Sequence, residues 1–305
     1  MVEKSEFAKA LEEQFQNEIE KQIEKTGEYR QTLYHYTGIH SLMGMVETNN
    51  LWMSKGTFLN DSSELFYFKD VLKAVLHKMD IPHDKNRWRM FRAELEKAMD
   101  RFLSEIEDGG LEVYVFSLSY APDSLALWYN YAKGEGYNLG FSGKDLLAGI
   151  RKSPEEGTLL HGLVEYRRQK QELILKALLL GTFQLMTKFK GEEAEKDLAE
   201  HFFTVITTCA IFFKDPTFAS EEEYRIAMIN NPGGARAGAS FRAQNGVIIP
   251  YITVNFKERL PISHITIGPK NNIDIAKRGI EQYLKTKGYD LERITIQKSV
   301  AALRY

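Results

Sequence analysis

Three charged side chains on one predicted strand have types and spacing suited to acid–base or electrostatic chemistry. They lie in the segment Phe218-Ala-Ser-Glu-Glu-Glu-Tyr-Arg-Ile-Ala-Met. Successive strand residues point to opposite faces, so Glu221, Glu223 and Arg225 share one face. The other face carries residues that can enter a core, namely Tyr224, Ile226 and Met228. Grouped charges cost desolvation and repulsion unless water, a partner or a ligand compensates them. The segment is therefore either an exposed edge strand or a catalytic Glu-x-Glu pair with an arginine beside it.

The composition is typical of a soluble globular protein. The chain has 305 residues, of which 43% are hydrophobic, and a net charge of −2. That charge disfavours a domain that holds nucleic acid mainly through a basic surface. The one cysteine, Cys209, lies in an apolar run and is expected to be a packed thiol. The sequence shows no signal peptide and no apolar run near the ~20 residues of a membrane span, so we expect a cytoplasmic protein without a membrane partner.

The N-terminal region, residues 1–30, is predicted to be an amphipathic helix. Its apolar residues recur every four positions at Phe7, Leu11, Phe15 and Ile19. Such a stripe must pack on something. The alternatives are the body of the same chain, which we favour, and a second copy in a homo-oligomer.

Residues 31–305 are predicted to form one α+β domain, with strands in clusters and helices inserted between them. The predicted strands cover residues 31–37, 51–54, 112–119, 137–141, 160–167, 221–228, 246–254, 262–268 and 294–298. The predicted helices cover residues 39–48, 61–78, 84–107, 124–131, 144–152, 169–189, 192–212 and 273–287. The pair of apolar helices within about 168–213 is expected to be a helical insert that supports the sheet.

Eight motifs occur in an order that resembles the bacterial domain of unknown function 2971 family. The resemblance extends from about Leu33 to Tyr305 and confers no activity by itself. The motifs are Tyr34-His-Tyr-Thr37, Leu51-Trp-Met-Ser54, Phe58-Leu-Asn-Asp61 with Glu64, Phe116-Ser-Leu-Ser119, Leu127-Trp128 with Tyr131, Glu221-Glu-Glu-Tyr-Arg225, Ile267-Gly-Pro269, and Ser299 with Arg304.

A more distant resemblance, to the ADP-ribosyltransferase superfamily, does imply chemistry. Leu33-Tyr-His-Tyr-Thr37 resembles the first strand of that superfamily, although Tyr36 replaces its glycine. Ser117-Leu-Ser119 and Glu221-Glu-Glu223 follow in the order of the Ser-x-Ser and Glu-x-Glu motifs of its arginine-specific members. The resemblance implies a split, mainly antiparallel β core and NAD as the substrate. The implied activity is ADP-ribosyl transfer or NAD hydrolysis, and a toxin or phage-defence role follows by analogy only.

The resemblance also implies roles for the two glutamates. Cleavage of the nicotinamide–ribose bond passes through a transition state like an oxocarbenium ion, which a fixed carboxylate stabilises. Glu223 is expected to take that role, and Glu221 to position or deprotonate an acceptor. The acceptor is a protein or a nucleic acid.

The remaining residues of the implied site would bind the nucleotide. By the same resemblance His35 would hold the adenosine ribose, while Ser117 and Ser119 would orient the nicotinamide ribose and support Glu223. Tyr36 or Trp128 would stack on a ring. Arg225 would either pair with the pyrophosphate or neutralise the glutamates.

Each of these residues also has a purely structural interpretation. A histidine between tyrosines is commonly a core residue, alternating serines are commonly the polar face of a strand, and Trp128 and Tyr131 suit a core. Asn60, Asp61 and Glu64 have the spacing of a helix cap. The functional interpretation depends on their occurring together with the Glu-x-Glu segment.

Two other classes of function remain open. Asp61, Glu64, Glu221 and Glu223 could gather a divalent metal for nucleotide or nucleic-acid hydrolysis, but the Glu-x-Lys pattern of such nucleases is missing. Alternatively, the polar cleft binds a nucleotide or a protein without turnover. Neither zinc-ligand spacing nor a phosphate-binding glycine loop occurs in the sequence, and we predict no metal.

Overall fold

The structure of the protein is a computed structural model that describes residues 4–22, 32–59, 61, 65–79, 84–152, 157–189, 192–230, 239–244 and 246–301. The helices in these residues are α1 (Glu6–Gln22), α2 (Ile39–Thr48), α3 (Phe68–Lys78), α4 (Lys85–Glu107), α5 (Leu125–Ala132), α6 (Gly143–Arg151), α7 (Arg168–Met186), α8 (Glu192–Phe212) and α9 (Ile273–Thr286). Short 3₁₀ helices cover Gly56–Phe58, Pro216–Glu221 and Leu291–Arg293.

The strands in the described residues form one ten-stranded sheet. They are β1 (Thr32–Thr37), β2 (Asn50–Lys55), β3 (Glu112–Ser119), β4 (Tyr137–Ser142), β5 (Thr158–Leu163), β6 (Glu223–Asn230), β7 (Ser240–Gln244), β8 (Val247–Asn255), β9 (Ile262–Ile267) and β10 (Thr295–Lys298). β9 and β10 pair in parallel, and the other ladders between these strands are antiparallel. The predicted α+β class with a mainly antiparallel core is confirmed.

The sheet splits at β3. Along one side β3 pairs with β6 over its whole length, from Glu112↔Asn230 to Ser119↔Glu223. On its other side β3 pairs with β1 at one end, through Tyr34↔Ser119, and with β2 at the other end, through Ser54↔Val115. The strand neighbours on that side therefore diverge, and the ladder is interrupted beside residues 116–118.

Both faces of β3 and β6 are covered, which decides between the two interpretations of the charged strand. Tyr224, Ile226 and Met228 enter one apolar core, whereas Ala227 and Ile229 enter a second core built largely from helices. β6 lies between β3 and β5. The exposed-edge interpretation was therefore wrong, and the predicted apolar face of the strand is confirmed.

The second core contains the predicted helical insert. α7 and α8 pack against the sheet together with α3 and α4. α1 packs on α7 and α8, and its stripe is buried: Phe7, Leu11, Phe15 and Ile19. The stripe therefore lies against its own chain, as favoured from the sequence, and this face is not available to a second copy.

Several predicted boundaries need correction. α3 begins at Phe68 and not near residue 61, because Leu65 has a φ of 68°, which no right-handed helix contains. Asn60 and Glu64 of the predicted cap lie outside the described residues, as does Arg304 of the last motif. The strand expected over 160–167 is β5, which ends at Leu163.

Candidate functional site

A cavity of about 350 Å³ opens where β1 and β2 diverge. Its walls come from β1, β2, β3, the region around the Pro216–Glu221 3₁₀ helix, and the β7–β8 hairpin. The polar and aromatic lining includes Tyr34, His35, Tyr36, Trp52, Ser54, Phe58, Asp61, Ser117, Ser119, Tyr131, Lys214, Phe218, Glu221, Glu223, Arg225 and Arg242. Seven of the eight residues predicted for the site line this one cavity.

The Glu223 carboxylate is paired with Arg225 two residues along the same strand. Arg225 Nε lies 3.0 Å from Glu223 Oε1, and Nη2 lies 2.7 Å from Oε2. The third nitrogen, Nη1, donates to the carbonyl oxygen of Ile211 at 2.6 Å. Arg225 is fully buried, so its fork is committed to Glu223 and to α8. Of the two roles considered for Arg225, neutralisation of the glutamates fits this geometry and pyrophosphate binding does not.

Lys214 connects the two glutamates. Its Nζ lies 2.7 Å from Glu221 Oε2 and 3.3 Å from Glu223 Oε2, and 4.9 Å from the centre of the Phe218 ring. All three charged side chains are less than a tenth exposed. Two carboxylates and two cations, Lys214 and Arg225, therefore form a neutral buried cluster.

Glu221 reaches this cluster by a different route from the one predicted. It ends the Pro216–Glu221 3₁₀ helix and is not part of β6, because Glu222 has a φ of 45° and turns the chain before the strand begins. The Ser119 hydroxyl donates to the Glu221 carbonyl oxygen at 2.7 Å and fixes this turn. Tyr131 donates to Glu221 Oε1 at 2.6 Å. The prediction that both glutamates share one strand face was wrong, but their carboxylates do meet.

Charges decide the ionisation of Glu223. Burial alone would raise its pKa, but the Arg225 and Lys214 charges and hydrogen bonds from Arg225 and Ser117 hold the pKa well below its usual range. Glu223 is therefore an anion at neutral pH. Burial, with the charge of Glu223 next, raises the pKa of Tyr166, whose hydroxyl accepts from the Glu223 amide at 3.2 Å.

Ser117 and Ser119 both contact the glutamate segment. The Ser117 side chain lies near the Glu223 carboxylate and helps to lower its pKa, and Ser119 holds the Glu221 backbone and accepts from the Ala121 amide at 3.0 Å. This arrangement is compatible with the support of Glu223 expected of Ser117. Ser119 is buried, and its hydroxyl bonds two backbone groups.

His35 occupies the gap in the sheet. Its Nδ1 lies 2.9 Å from the Ser117 carbonyl oxygen, and its ring stacks on Phe116 with centres 4.5 Å apart. Burial, opposed by the Ser117 bond and assisted by the charge of Arg242, lowers the pKa of His35 to about 4. The imidazole is therefore neutral at pH 7. Since a carbonyl can only accept, Nδ1 carries the proton and Nε2 remains an acceptor.

Tyr36 and Trp128 act as a structural pair. The Tyr36 hydroxyl donates to the Ala121 carbonyl oxygen at 2.7 Å and accepts from the Ser124 amide at 2.9 Å. Trp128 packs edge-on against Tyr36 with ring centres 4.9 Å apart, and its indole donates to Asp123. Trp128 is 0% exposed and does not line the cavity. The prediction that it stacks on a ligand was wrong, because neither ring face is accessible.

Two basic residues of the cavity, Lys214 and Arg242, were not predicted from the sequence. Lys214 follows the apolar run that ends at Phe213, and a cation directly after a buried run is a weak signal of a buried partner. Arg242 lies on β7 and donates through Nη2 to Ser54 Oγ at 2.9 Å. Nothing in its local sequence indicates that it reaches the cavity, because the contact joins residues 188 apart.

Neither a metal-ligating cluster nor a membrane-spanning helix occurs among the described residues. These residues contain no group of three or more histidine, cysteine or acidic side chains placed to hold a metal ion. None of their helices is long and apolar enough to cross a membrane. The carboxylates that a metal site would need are instead occupied by Lys214 and Arg225.

The fold and cavity define an α+β protein with a split sheet and a buried charge cluster at the split. Residues 127–226 match the sequence model of a family described as a protein of unknown function, DUF2971. This match covers about a third of the chain and supports the family resemblance found in the motifs, and it includes Trp128, Glu221, Glu223 and Arg225. No curated protein and no solved structure matches the chain.

Proposed function

We propose that the cavity binds a nicotinamide dinucleotide and that the protein cleaves the nicotinamide–ribose bond, as an ADP-ribosyltransferase or an NAD glycohydrolase. One observation carries the proposal. His35, Ser117 and Glu223 come from three strands that are distant in sequence, and all three line one cavity. They are the residues for which the sequence resemblance requires a shared cleft.

The Glu223 carboxylate has the properties of a fixed anion. It is held by two nitrogens of Arg225 and by Lys214, so its position is set before any ligand enters. A preoriented anion stabilises positive charge as it develops on a ribose ring at little reorganisation cost. Glu223 would therefore stabilise an oxocarbenium-like transition state without a proton transfer of its own.

Glu221 is the better candidate for contact with an acceptor. Its two oxygens accept from Tyr131 and Lys214, one bond each, and a carboxylate can accept about four hydrogen bonds. Lone pairs therefore remain for an incoming hydroxyl, guanidine or water. Tyr131 and Lys214 fix the carboxylate at the cavity wall, where it would orient that nucleophile.

The remaining lining suits the neutral parts of a nucleotide. The Nε2 acceptor of His35 can receive a hydrogen bond from a ribose hydroxyl, and the Tyr34, Trp52 and Phe58 rings offer stacking surfaces. At about 350 Å³ the cavity lies at the low end of the roughly 300–1,000 Å³ typical of small-molecule sites. It would hold one nucleotide half, with the rest of the ligand toward the opening.

A specific observation favours a second candidate, a binding module without turnover. Glu223 already accepts from Arg225 twice and from Lys214. These three donors take up most of the roughly four hydrogen bonds that a carboxylate can accept. A ribose hydroxyl would have to compete for the little acceptor capacity that remains, and a protein that only senses the nucleotide needs no contact with Glu223.

The structure adds a lysine to the alternative metal-dependent hydrolase site but gives that site no set of metal ligands among the described residues. Lys214 supplies the cation that the local sequence lacked, yet it bonds both carboxylates that a metal would use. The described residues contain no other cluster placed for a metal ion.

Nicotinamide release from NAD, measured by chromatography, tests the proposal. Wild type and three variants are compared with and without a chelator: Glu223→Gln, Glu221→Gln and the control Glu165→Gln. Glu165 is also buried and paired, 2.8 Å from Arg167 and 2.9 Å from Lys170, but it lies outside the cavity. We expect chelator-resistant release that falls at least about 100-fold in Glu223→Gln and persists in the control. An equal loss of nicotinamide release in Glu165→Gln would show that the effect comes from lower protein stability. NAD binding without nicotinamide release would favour the binding module.

A further inference from the structure

Arg242 is the cation of the cavity that the charge cluster does not use. It extends from β7, where it pairs with Ile249 of β8, and its Nη2 donates to Ser54 Oγ on β2 at 2.9 Å. Glu221 and Glu223 are already bonded by Lys214 and Arg225. No ion pair joins Arg242 to any carboxylate among the described residues, although its side chain lines the cavity.

The Nε atom of Arg242 is a buried donor without a hydrogen-bond partner. A guanidinium cannot give up its charge in a protein, and a buried cation without a counter-ion is unfavourable. Burial lowers the pKa of Arg242, and the neighbouring Tyr251 side chain opposes this shift. The neighbouring His35 is neutral at pH 7 and offers no negative charge. Arg242 is therefore a cation without a paired carboxylate among the described residues. Its Nε has no hydrogen-bond partner, whereas its Nη2 donates to Ser54.

The shape of this vacant donor set identifies the ligand class. The Nε and Nη nitrogens of a guanidinium form a fork that matches two oxygens of a phosphate or carboxylate. Ser54 is hydrogen-bonded to Arg242 and pairs with Val115 of β3. Glu223 pairs with a different residue of β3, Ser119. These two positions on β3 are four residues, about 13 Å, apart. A ligand held at both would carry its anion toward β2 and its reacting end toward β6.

We propose that Arg242, assisted by Ser54, binds a phosphate or pyrophosphate group of the cavity ligand. In naming a nucleotide phosphate, this inference rests on the proposed function. It assigns the anion site to Arg242, which no sequence motif indicated, in place of Arg225. The ligand class is an anionic nucleotide such as a nucleoside diphosphate or a dinucleotide. Uncharged nucleosides would bind without help from Arg242.

Titration calorimetry with three probes tests the inference: ADP-ribose, inorganic pyrophosphate and adenosine. The proteins are wild type, Arg242→Gln, Arg242→Lys and the control Arg293→Gln, whose side chain is 85% exposed and lies outside the cavity. Arg242→Gln should weaken ADP-ribose and pyrophosphate binding at least tenfold, equivalent to about 1.4 kcal/mol, and leave adenosine unchanged. Arg242→Lys retains the charge without the fork and should recover part of the loss. Circular dichroism confirms that each variant is folded.

The outcomes separate this inference from the proposed function. Wild-type affinity of Arg242→Gln for both anions would overturn the inference, and so would the absence of any anion binding by wild type. Arg242-dependent ADP-ribose binding without nicotinamide release would keep the inference and overturn the proposed bond cleavage. Arg242-dependent pyrophosphate binding without ADP-ribose binding would keep the anion site and overturn the nucleotide ligand.

Discussion

Arg225 donates to both oxygens of Glu223, at 3.0 Å through Nε and 2.7 Å through Nη2, although the two residues are only two positions apart on β6. Alternation along a strand places both side chains on the same face, and β3 and β5 flank that strand on both sides. The Glu223–Arg225 pair is therefore buried within an interior strand of the sheet. It fixes the Glu223 carboxylate at the cavity and makes the fold dependent on its charge balance.

Removal of Arg225 should strongly destabilise the protein. Arg225→Met leaves Glu223 buried with Lys214 as its remaining cation and leaves the Ile211 carbonyl oxygen without this donor. Breaking a buried ion pair from one side costs about 3–5 kcal/mol. Urea unfolding followed by circular dichroism measures the loss. The exposed pair of Arg293 provides a control, because Arg293→Gln should change the free energy of unfolding by less than about 0.5 kcal/mol.

The double variant Glu223→Gln/Arg225→Met tests whether the cost comes from the unpaired charge. We expect it to be less destabilised than the sum of its two single variants, by about 1–3 kcal/mol, because neither charge is then buried alone. Additive losses would contradict the pairing, since independent residues do not couple.

Stability should fall as the pH is lowered from 7 toward 4.5. Burial lowers the pKa of His35, His161 and His201 from about 6.5 to about 4 in the folded protein. Between these values the unfolded chain binds more protons than the folded chain, so protonation favours unfolding, and the stability is regained above pH 6.5. His35→Asn should reduce the loss between pH 7 and pH 5 by about 1–2 kcal/mol.

Urea midpoints at several pH values measure this effect. The exposed His40 gives the matched control, because His40→Asn should leave the pH profile unchanged. A wild-type profile that stays flat down to pH 4.5 would show that these histidines are not buried in neutral form.

The N-terminal helix should contribute to the stability of its own chain. Leu11 on α1 is 1% exposed and faces the α7–α8 pair. Leu11→Ala should therefore lower the free energy of unfolding by about 2–5 kcal/mol. Glu13→Ala on the exposed face of the same helix is the control. Size-exclusion chromatography accompanies the urea unfolding. A variant that keeps the wild-type midpoint but changes from dimer to monomer would assign the stripe to an interface between copies.

Local sequence patterns predicted much of the fold. β3 and α8 have the bounds expected, and Asp84 caps α4 as the polar residue before an apolar periodic run should. Alternating strand residues also placed Tyr224 and Ile226 in the core. Such features depend on periodicity and capping within a few neighbouring residues, which the sequence displays directly.

The parts that could not be predicted depend on tertiary contacts. The strand appeared to begin before Glu221 because alternation cannot reveal the left-handed turn at Glu222. Trp128 has an aromatic ring of the kind that stacks on ligands, but its burial depends on Tyr36 from a distant strand. Arg242 reaches Ser54 on β2 from β7, which lies on the far side of β8 in the sheet.

The most direct test of the central claim is a crystal structure of the Glu223→Gln variant at saturating NAD. This substitution should slow turnover while keeping the shape of the side chain. We predict NAD density in the cavity where β1 and β2 diverge, with a ribose next to His35 and Ser117 and a phosphate next to Arg242. A cavity that stays empty at saturating NAD, or NAD bound elsewhere on the protein, would contradict the account.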